Sequence, residues 1–362
     1  MKRYYFLHIP RTGGGTLRKL ISAHCADGSW LGIYPGKTPP FMDLPTYRSL
    51  APQFLQRIGF VIGEIASLYS HADTMSGLRL TLIREPVART ISQFQYHQKR
   101  GDLEPDIELK DIAASKPGWA SNLQTRLLCG AEEQELTEHH LSLAKARLKA
   151  FHLVGATERF TEFYLVLADL ADWSATNFVN SFATAPMSTD PATETTLREM
   201  NRLDHALWRF ANELQNNTLA SYGRSFFETR LAGFQERQRQ FQLDYTAKRQ
   251  QRLARHRETQ HSQEIIGFLD PIQRGKAVTG WVYSHRRQEP FTVSLLINNR
   301  SVAKQQAVVH RQDLYQLGMH ATGLCGFRFR EAIGALRSGD RIQVVADGGR
   351  YVLPPGVREV AA

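Results

Sequence analysis

The chain has 362 residues, 42% of them hydrophobic, and a formal net charge of +10 at pH 7. That length is sufficient for more than one hydrophobic core, and the positive charge favours anionic partners. Three scattered cysteines, Cys25, Cys129 and Cys325, exclude a disulfide framework or cysteine-rich metal cluster, and they favour a reducing, cytoplasmic location. The apolar run near the N-terminus is too short for a signal peptide, and no transmembrane segment is expected.

The first predicted elements are a strand, a glycine-rich turn and a helix. Tyr4-Tyr5-Phe6-Leu7 is typical of a buried parallel strand, Gly13, Gly14 and Gly15 form the turn, and a leucine- and lysine-rich helix follows Thr16. This order directs backbone N–H groups and the positive helix end at one place, which suits a phosphate or a close relative. The alternative is a turn that joins strand to helix and binds nothing.

The turn differs from the usual nucleotide-binding loop. A Walker A loop needs a lysine beside its last glycine and then a hydroxyl for Mg²⁺. Here Gly15 is followed directly by Thr16, and the cation of the turn, Arg11, precedes the glycines. A P-loop kinase or NTPase is therefore an alternative and not the first expectation.

A second segment has the same strand-to-helix character. An apolar strand over residues 78–83 ends at Arg84, Pro86 stops the strand, and the following helix carries Ser92 inward. A guanidinium at a strand end and a hydroxyl two helical turns later can converge on one phosphate. Taken by itself, Arg84 could equally form an ordinary surface salt bridge.

Together the two segments resemble the sulfotransferases that use 3′-phosphoadenosine 5′-phosphosulfate (PAPS), in their carbohydrate or heparan-type branch. The first motif of that branch reads H-I-P-K-T-G-G-T-S; this chain has Arg11 for the lysine and Gly15-Thr16 for Thr-Ser. The second reads R-D-P-x-x-R-x-x-S, with Glu85 here in place of aspartate. The first motif is matched at His8, Ile9, Pro10, Thr12, Gly13 and Gly14. The resemblance covers roughly residues 4–222 and implies an α/β, P-loop-like three-layer domain with a parallel sheet.

The resemblance also implies the cofactor and its contacts. Arg84 and Ser92 would bind the 3′-phosphate of PAPS, and no obligatory metal is expected. Arg11 in place of lysine keeps the positive charge of the first motif. It changes the geometry of the contact, because a planar guanidinium replaces the compact ammonium group of lysine. The expected 5′-phosphosulfate contacts are Arg11, Thr12, Gly13, Gly14, Gly15 and Thr16.

The general base is expected at the end of the strand over residues 59–63. Many relatives have Gly-His there, whereas this chain has Gly63-Glu64. A carboxylate can accept a hydroxyl proton if its surroundings raise its pKa, as the tyrosylprotein branch of the sulfotransferases suggests. His71 is the competing candidate. Glu64 as a solvated acid and His71 as an exposed loop histidine are the alternatives without catalysis.

A third segment, residues 118–130, is similar to the N-x-Q-T-R-x-L-x-G run of the same branch. There it helps to shape the cofactor and acceptor cleft, which makes Gln124, Thr125 and Arg126 candidates of second rank; simple helix capping is the alternative. Thr157, in a V-G-x-T-E-x-F-like run, is expected near the nucleotide. The other predicted elements are an irregular loop at residues 30–45, helices at 90–100, 136–149 and 161–170, a strand with a helix cap at 151–160, and a closing helix at 195–219.

The composition changes after residue 223. We predict a sulfotransferase domain at 1–223, a long basic helical linker at 224–263 and a small β-sandwich at 264–362, with five or six strands and a hairpin turn at Asn298-Asn299. Gly280-Trp281 and residues 311–314 resemble an accessory β-module of bacterial glycosyl- and sulfotransferases. Interaction or glycan binding is the expected role, and its edge strands are suited to a homo-oligomer.

The expected function is transfer of a sulfuryl group from PAPS to a hydroxyl acceptor, with a poly- or oligosaccharide as partner and no nucleic acid. Besides a kinase or NTPase, two alternatives stay open. One is a PAPS-binding protein with little catalysis, suggested by Arg11 and Glu64 at motif positions. The other is a glycan-binding protein whose working part is the C-terminal module.

Overall fold

A computed structural model describes most of the chain in two compact units, residues 1–94 with 107–242, and residues 95–106 with 243–362. Glu64 and His71 lie outside the described residues, so their assignment as bases stays a prediction. Among the helices of the described part, none is long and apolar enough to cross a membrane. The described residues are 2–26, 28–34, 41–63, 77–103, 107–131, 135–179, 187, 189–259, 265–273, 275–287, 289–330 and 336–360.

The first unit is built on a parallel six-stranded sheet, which confirms the predicted mixed α/β class with a parallel sheet. Its strands are ordered β3-β2-β4-β1-β5-β6. All its neighbouring pairs are parallel. The strands are β1 (Tyr4–Leu7), β2 (Trp30–Ile33), β3 (Phe41–Met42), β4 (Phe60–Gly63), β5 (Leu78–Ile83) and β6 (Leu153–Ala156).

The irregular loop predicted at residues 30–45 is wrong, because β2 and β3 lie inside it. All four residues of β2 are buried, and the strand pairs with both β4 and β3. The prolines that follow β2 favoured the prediction of a loop, although β2 itself is a short apolar run. Gly32 helps to accommodate the pair, since a Cβ at that position would lie 2.4 Å from the Phe41 ring.

Helices cover both faces of this sheet. Along β1, Tyr4 and Phe6 belong to one hydrophobic cluster with Leu17, whereas Leu7 belongs to another with Leu148. Successive side chains of a strand point to opposite faces, so the sheet is buried on both sides. The helices are α1 (Gly14–His24), α2 (Leu44–Arg48), α3 (Pro52–Leu55), α4 (Pro86–Lys99), α5 (Leu109–Ser115), α6 (Leu123–Cys129), α7 (Glu138–Lys149), α8 (Phe160–Leu170), α9 (Pro191–Met200), α10 (Arg202–Ser221) and α11 (Arg224–Thr259).

The single closing helix predicted at 195–219 is also wrong, because α9 and α10 meet at Asn201. This fully buried residue has a non-helical backbone (φ −111°, ψ 25°). Its side-chain amide donates to the carbonyls of Ala120 and Leu197, and its oxygen accepts the N–H of Asn122. These tertiary bonds outweigh the apolar periodicity that runs through the break.

The second unit contains two separate antiparallel sheets, ordered β10-β9-β13-β14, with β15 on β13, and β11-β12-β8-β7. Strands from both sheets contribute to one core that includes Val282, Leu295, Phe327 and Val344. The described part has nine strands here, more than the five or six predicted, because several are only two residues long. They are β7 (Ile266–Leu269), β8 (Val278–Tyr283), β9 (Thr292–Ile297), β10 (Arg300–Gln306), β11 (Val309–His310), β12 (Leu324–Phe329), β13 (Arg341–Ala346), β14 (Tyr351–Val352) and β15 (Arg358–Glu359), and the helix is α12 (Gln312–Leu317).

The predicted hairpin turn at Asn298-Asn299 is confirmed. These two residues connect the antiparallel strands β9 and β10. Both have positive φ angles, 50° and 65°. Asparagine tolerates this left-handed backbone, and two successive left-handed residues match the twist of a two-residue hairpin.

Candidate anion site

The candidate site lies at the carboxyl ends of β1, β5 and β6. The strands β2, β3 and β4 lie on one side of β1, whereas β5 and β6, which come later in the chain, lie on its other side. In open parallel sheets, ligands bind outside the carboxyl ends of the strands at such a reversal. His8, Arg84 and Thr157 are the residues that follow directly after these three strand ends.

The glycine-rich turn after β1 is held in a left-handed form. Arg11 and Gly13 have φ angles of 70° and 94°, and the buried Thr12 hydroxyl donates to the Ile9 carbonyl at 2.8 Å. The Gly13 carbonyl accepts the first two bonds of α1, from Thr16 and from Leu17. The first N–H groups of a helix have no partner inside it and carry its positive dipole end. Thus the start of α1 presents backbone donors where the sequence predicts an anion.

Gly14 is required by the histidine that precedes the turn. A Cβ built on Gly14 would lie 2.0 Å from Cδ2 of His8 and 2.2 Å from its Nε2. The ring cannot turn away without loss, because its Nδ1 lies 3.0 Å from the Tyr34 hydroxyl in a hydrogen bond. His8 therefore has a structural role at the base of the turn.

We expect Gly14→Ala to lower the free energy of unfolding by about 2 kcal/mol, because overpacking the His8 contact outweighs the better helix propensity of alanine. Urea denaturation measures this. Gly118→Ala is the matched control, since a Cβ there meets nothing within 4 Å, and it should change stability by less than about 0.5 kcal/mol. Equal stability of the two variants would contradict the packing argument.

The structure brings the cations of the two predicted motifs together. Arg11 Nε donates to the Ser92 hydroxyl at 3.1 Å, and Arg84 Nη1 donates to the Arg11 carbonyl at 3.0 Å. Ser92 is buried on α4, two turns after the helix begins. Two segments that are 73 to 81 positions apart in sequence thus form one cluster.

Gln124 holds the main chain of Arg84. Its side-chain oxygen accepts the Arg84 N–H at 2.9 Å, and its amide nitrogen donates to the Arg84 carbonyl at 2.8 Å. Burial lowers the pKa of Arg84, and the carboxylates of Glu158 and Glu85 oppose that shift. Gln124 therefore positions Arg84, and both polar atoms of its side chain are used in doing so.

The other two candidates of the third segment have different contacts. The Thr125 N–H donates to Asp204 Oδ1 at 2.7 Å, and Arg126 Nη1 donates to the Ala131 carbonyl at 3.1 Å, beyond the far end of α6. Both of these hydrogen bonds are made to groups outside the glycine-rich turn. Their predicted cofactor contacts stay predictions.

Asp204 is a fully buried carboxylate that sequence reasoning placed in the closing helix without a role. Its two oxygens accept the N–H groups of Gln124 at 3.0 Å and Thr125 at 2.7 Å. It thereby caps the start of α6, where Asn122 provides no side-chain cap. Burial raises the pKa of Asp204, while these hydrogen bonds and the charge of Arg89 oppose the rise.

Arg89 is the most unusual residue near the site. It is the second arginine of the Arg84–Ser92 motif and is fully buried. Nη2 donates to the Trp119 carbonyl at 2.6 Å, but Nε and Nη1 have no hydrogen-bond partner among the described residues. Burial lowers the pKa of Arg89 to about 10; Asp204 opposes this shift, and Arg84 and Arg11 add to it.

Thr157 and the acids beside it complete the frame. The Thr157 hydroxyl lies within hydrogen-bond distance of the Thr12 carbonyl (3.0 Å) and the Ile83 carbonyl (3.2 Å), and so joins the turn to the end of β5. Glu85, the acid of the second motif, caps α4 by accepting the Ala88 N–H at 2.7 Å. Its own N–H donates to Glu158. Through these hydrogen bonds, Thr157, Glu85 and Glu158 hold the backbone segments that carry Arg11 and Arg84.

Two signals in the sequence could have revealed the missed residues. Arg89 lies three residues after Pro86, on the helix face that also carries Ser92, where a cation is unexpected unless it faces an anion. Asp204 is an acid among the buried apolar positions of α10.

No protein-family model matches the chain, and no significant match was found among curated proteins. The resemblance to sulfotransferases therefore depends on the motif residues alone.

Proposed function

We propose that this protein is a PAPS-dependent sulfotransferase with a P-loop-like N-terminal domain, and that it sulfates a hydroxyl group of an oligo- or polysaccharide. The observation that carries the proposal is the hydrogen-bonded chain from Arg84 through the Arg11 carbonyl and from Arg11 to Ser92. It joins the residues that the resemblance assigns to opposite ends of one nucleotide. A simple joint between strand and helix would not require such a convergence.

The charges around the cluster support an anionic ligand. Arg11 and Arg84 lie close enough to lower the pKa of Arg89, and Asp204 is the carboxylate that opposes this effect. Two nitrogens of the buried Arg89 lack hydrogen-bond partners in the described part of the chain. Buried cations are costly unless an opposite charge compensates them. The residues present therefore fit a ligand with phosphate groups.

Each group of the site would then have a distinct task. Arg11 and the N–H groups at the start of α1 would hold the 5′-phosphosulfate and stabilise charge on the leaving phosphate. Arg84 and Ser92 would bind the 3′-phosphate. When bound, PAPS supplies the sulfuryl group and leaves as adenosine 3′,5′-bisphosphate. Glu64, with His71 as competitor, is the proposed acceptor of the hydroxyl proton.

We expect adenosine 3′,5′-bisphosphate at 100 times its Kd to stabilise the protein by about 2.7 kcal/mol, which is measurable as a rise in Tm. Adenosine 5′-phosphate at the same concentration should give a smaller rise, because it lacks the 3′-phosphate. Radiolabelled PAPS with an unsulfated polysaccharide should then yield a labelled product. Protection by ATP with Mg²⁺ but not by the bisphosphate would instead support a kinase or NTPase.

A further inference from the structure

The second unit contains a cavity of about 680 Å³, within the range of small-ligand sites. Its lining comes from several separate parts of that unit, including residues 99–100, the segment from 270 to 280, β11 with Arg311, and β12. The cavity differs from a hydrophobic core because most of its charged side chains are cationic. The cations are Lys99, Arg100, Lys276, Arg311 and Arg328.

The carboxylate in the cavity lining is already engaged. Both oxygens of Asp270 lie within hydrogen-bond distance of Arg311 Nη1, at 3.2 and 2.9 Å, and Oδ2 also accepts the Thr279 hydroxyl at 2.9 Å. Arg311 pairs in addition with Asp313 at 2.7 Å. Arg311 and Asp270 therefore form a fixed, neutralised part of the wall.

The other cations keep an excess of positive charge. Asp102 pairs with Arg100 at 3.1 Å and with Arg328 at 3.3 Å, and it also contacts Arg330, which is not in the lining. One carboxylate is thus shared among three arginines. The exposed Lys276 has no ion pair with any described residue. Among the described residues, these ion pairs involve three carboxylates, Asp102, Asp270 and Asp313, whereas the lining contains five cations, so cations outnumber carboxylates at the cavity.

His310 in the wall does not add to this charge near neutral pH. Its burial and the nearby Lys99 charge lower its pKa, while Asp313 opposes the shift. The remaining wall contains Gln273, which can hydrogen-bond to hydroxyl groups, and the apolar surfaces of Pro271 and Val309. The lining therefore combines separated cations with polar and apolar contact surface.

We propose that this cavity binds an acidic oligosaccharide through its sulfate or carboxylate groups. A compact anion such as phosphate would use one or two of the cations, whereas cations from separate segments fit charges distributed along a larger molecule. Sugar hydroxyls and the apolar faces of sugar rings match the polar and apolar parts of the wall. The proposal goes beyond the sulfotransferase reaction and does not depend on it.

Isothermal titration calorimetry on the full chain provides the test, with a heparin-derived sulfated tetrasaccharide and with uncharged maltotetraose as probes. We expect the sulfated probe to bind and maltotetraose not to bind. Lys276→Glu should weaken binding about tenfold. The matched control is Lys304→Glu, on the exposed side of β10 and outside the cavity lining, which should change affinity less than about twofold.

Three results would overturn the proposal. They are equal binding of the charged and uncharged probes, unchanged affinity of Lys276→Glu, and binding of pyrophosphate or a single-stranded oligonucleotide but not of the tetrasaccharide. Arg84→Ala separates this proposal from the previous one, because Arg84 belongs to the first unit. That variant should bind the tetrasaccharide like the wild type, even if adenosine 3′,5′-bisphosphate binds to neither protein.

Discussion

Arg84→Ala is expected to weaken the binding of adenosine 3′,5′-bisphosphate about 100-fold, which corresponds to about 2.7 kcal/mol. Charge-assisted hydrogen bonds between a guanidinium and a phosphate are among the strong ones in proteins, and a partly desolvated site increases their value. The fold should persist, because Gln124 holds Arg84 through its main-chain N–H and carbonyl. Calorimetric titration of the bisphosphate measures the loss, and at the same ligand concentration the stabilisation should fall from about 2.7 to about 0.4 kcal/mol, which gives a much smaller rise in Tm.

Arg48→Ala is the control for this experiment. Arg48 lies on α2 in the same unit, is exposed, and loses the same charge and side-chain volume when replaced. The affinity of the Arg48→Ala variant for the bisphosphate should stay within about twofold of that of the wild type. If Arg84→Ala binds the bisphosphate as tightly as Arg48→Ala, the 3′-phosphate assignment fails.

Asp204→Asn is expected to destabilise the protein by about 3 kcal/mol, because one member of a buried network loses its charge. Asparagine has one side-chain oxygen where the carboxylate uses two to accept the N–H groups of Gln124 and Thr125. One of these N–H groups would face the new amide. The buried Arg89 would lose the carboxylate that opposes the lowering of its pKa. Urea denaturation followed by circular dichroism gives the change.

The same substitution at an exposed aspartate tests whether burial is the cause. Asp172 is exposed and has a φ angle of 55°, which asparagine also tolerates. Asp172→Asn should therefore change the free energy of unfolding by less than about 0.5 kcal/mol. A loss at Asp204 no larger than this would show that its two hydrogen bonds contribute little to stability.

Several features of the fold could be predicted because their signals are local. The aromatic run Tyr4–Leu7 and the apolar run Leu78–Ile83 are strands of a parallel sheet, as their composition predicts. The asparagine pair at residues 298–299 forms its hairpin, since few residues accept two successive left-handed conformations. The helix predicted after the glycine-rich turn is present, but it begins inside the glycine run, at Gly14, and not after Gly15. Each of these depends on a few neighbouring residues.

Other features could not be predicted, because competing interactions come from distant parts of the chain. The break at Asn201 depends on Ala120 and Asn122, about 80 positions away, and β2 depends on β4 for its partner. The local sequence pattern, whether typical of a helix or of a loop, does not indicate such distant partners. In both places tertiary hydrogen bonds outweigh the local preference.

For the candidate site, the chain's residue order determines which groups stand at strand ends: Arg84 after β5, the glycine-rich turn after β1 and Thr157 after β6. Whether these groups meet depends on the order of strands in the sheet, which puts β5 directly beside β1. That adjacency brings Arg11 to Ser92, and packing of α10 against α6 brings Asp204 under Gln124. Backbone conformation responds to neighbouring residues, whereas contacts between charged side chains exist only after distant elements have packed.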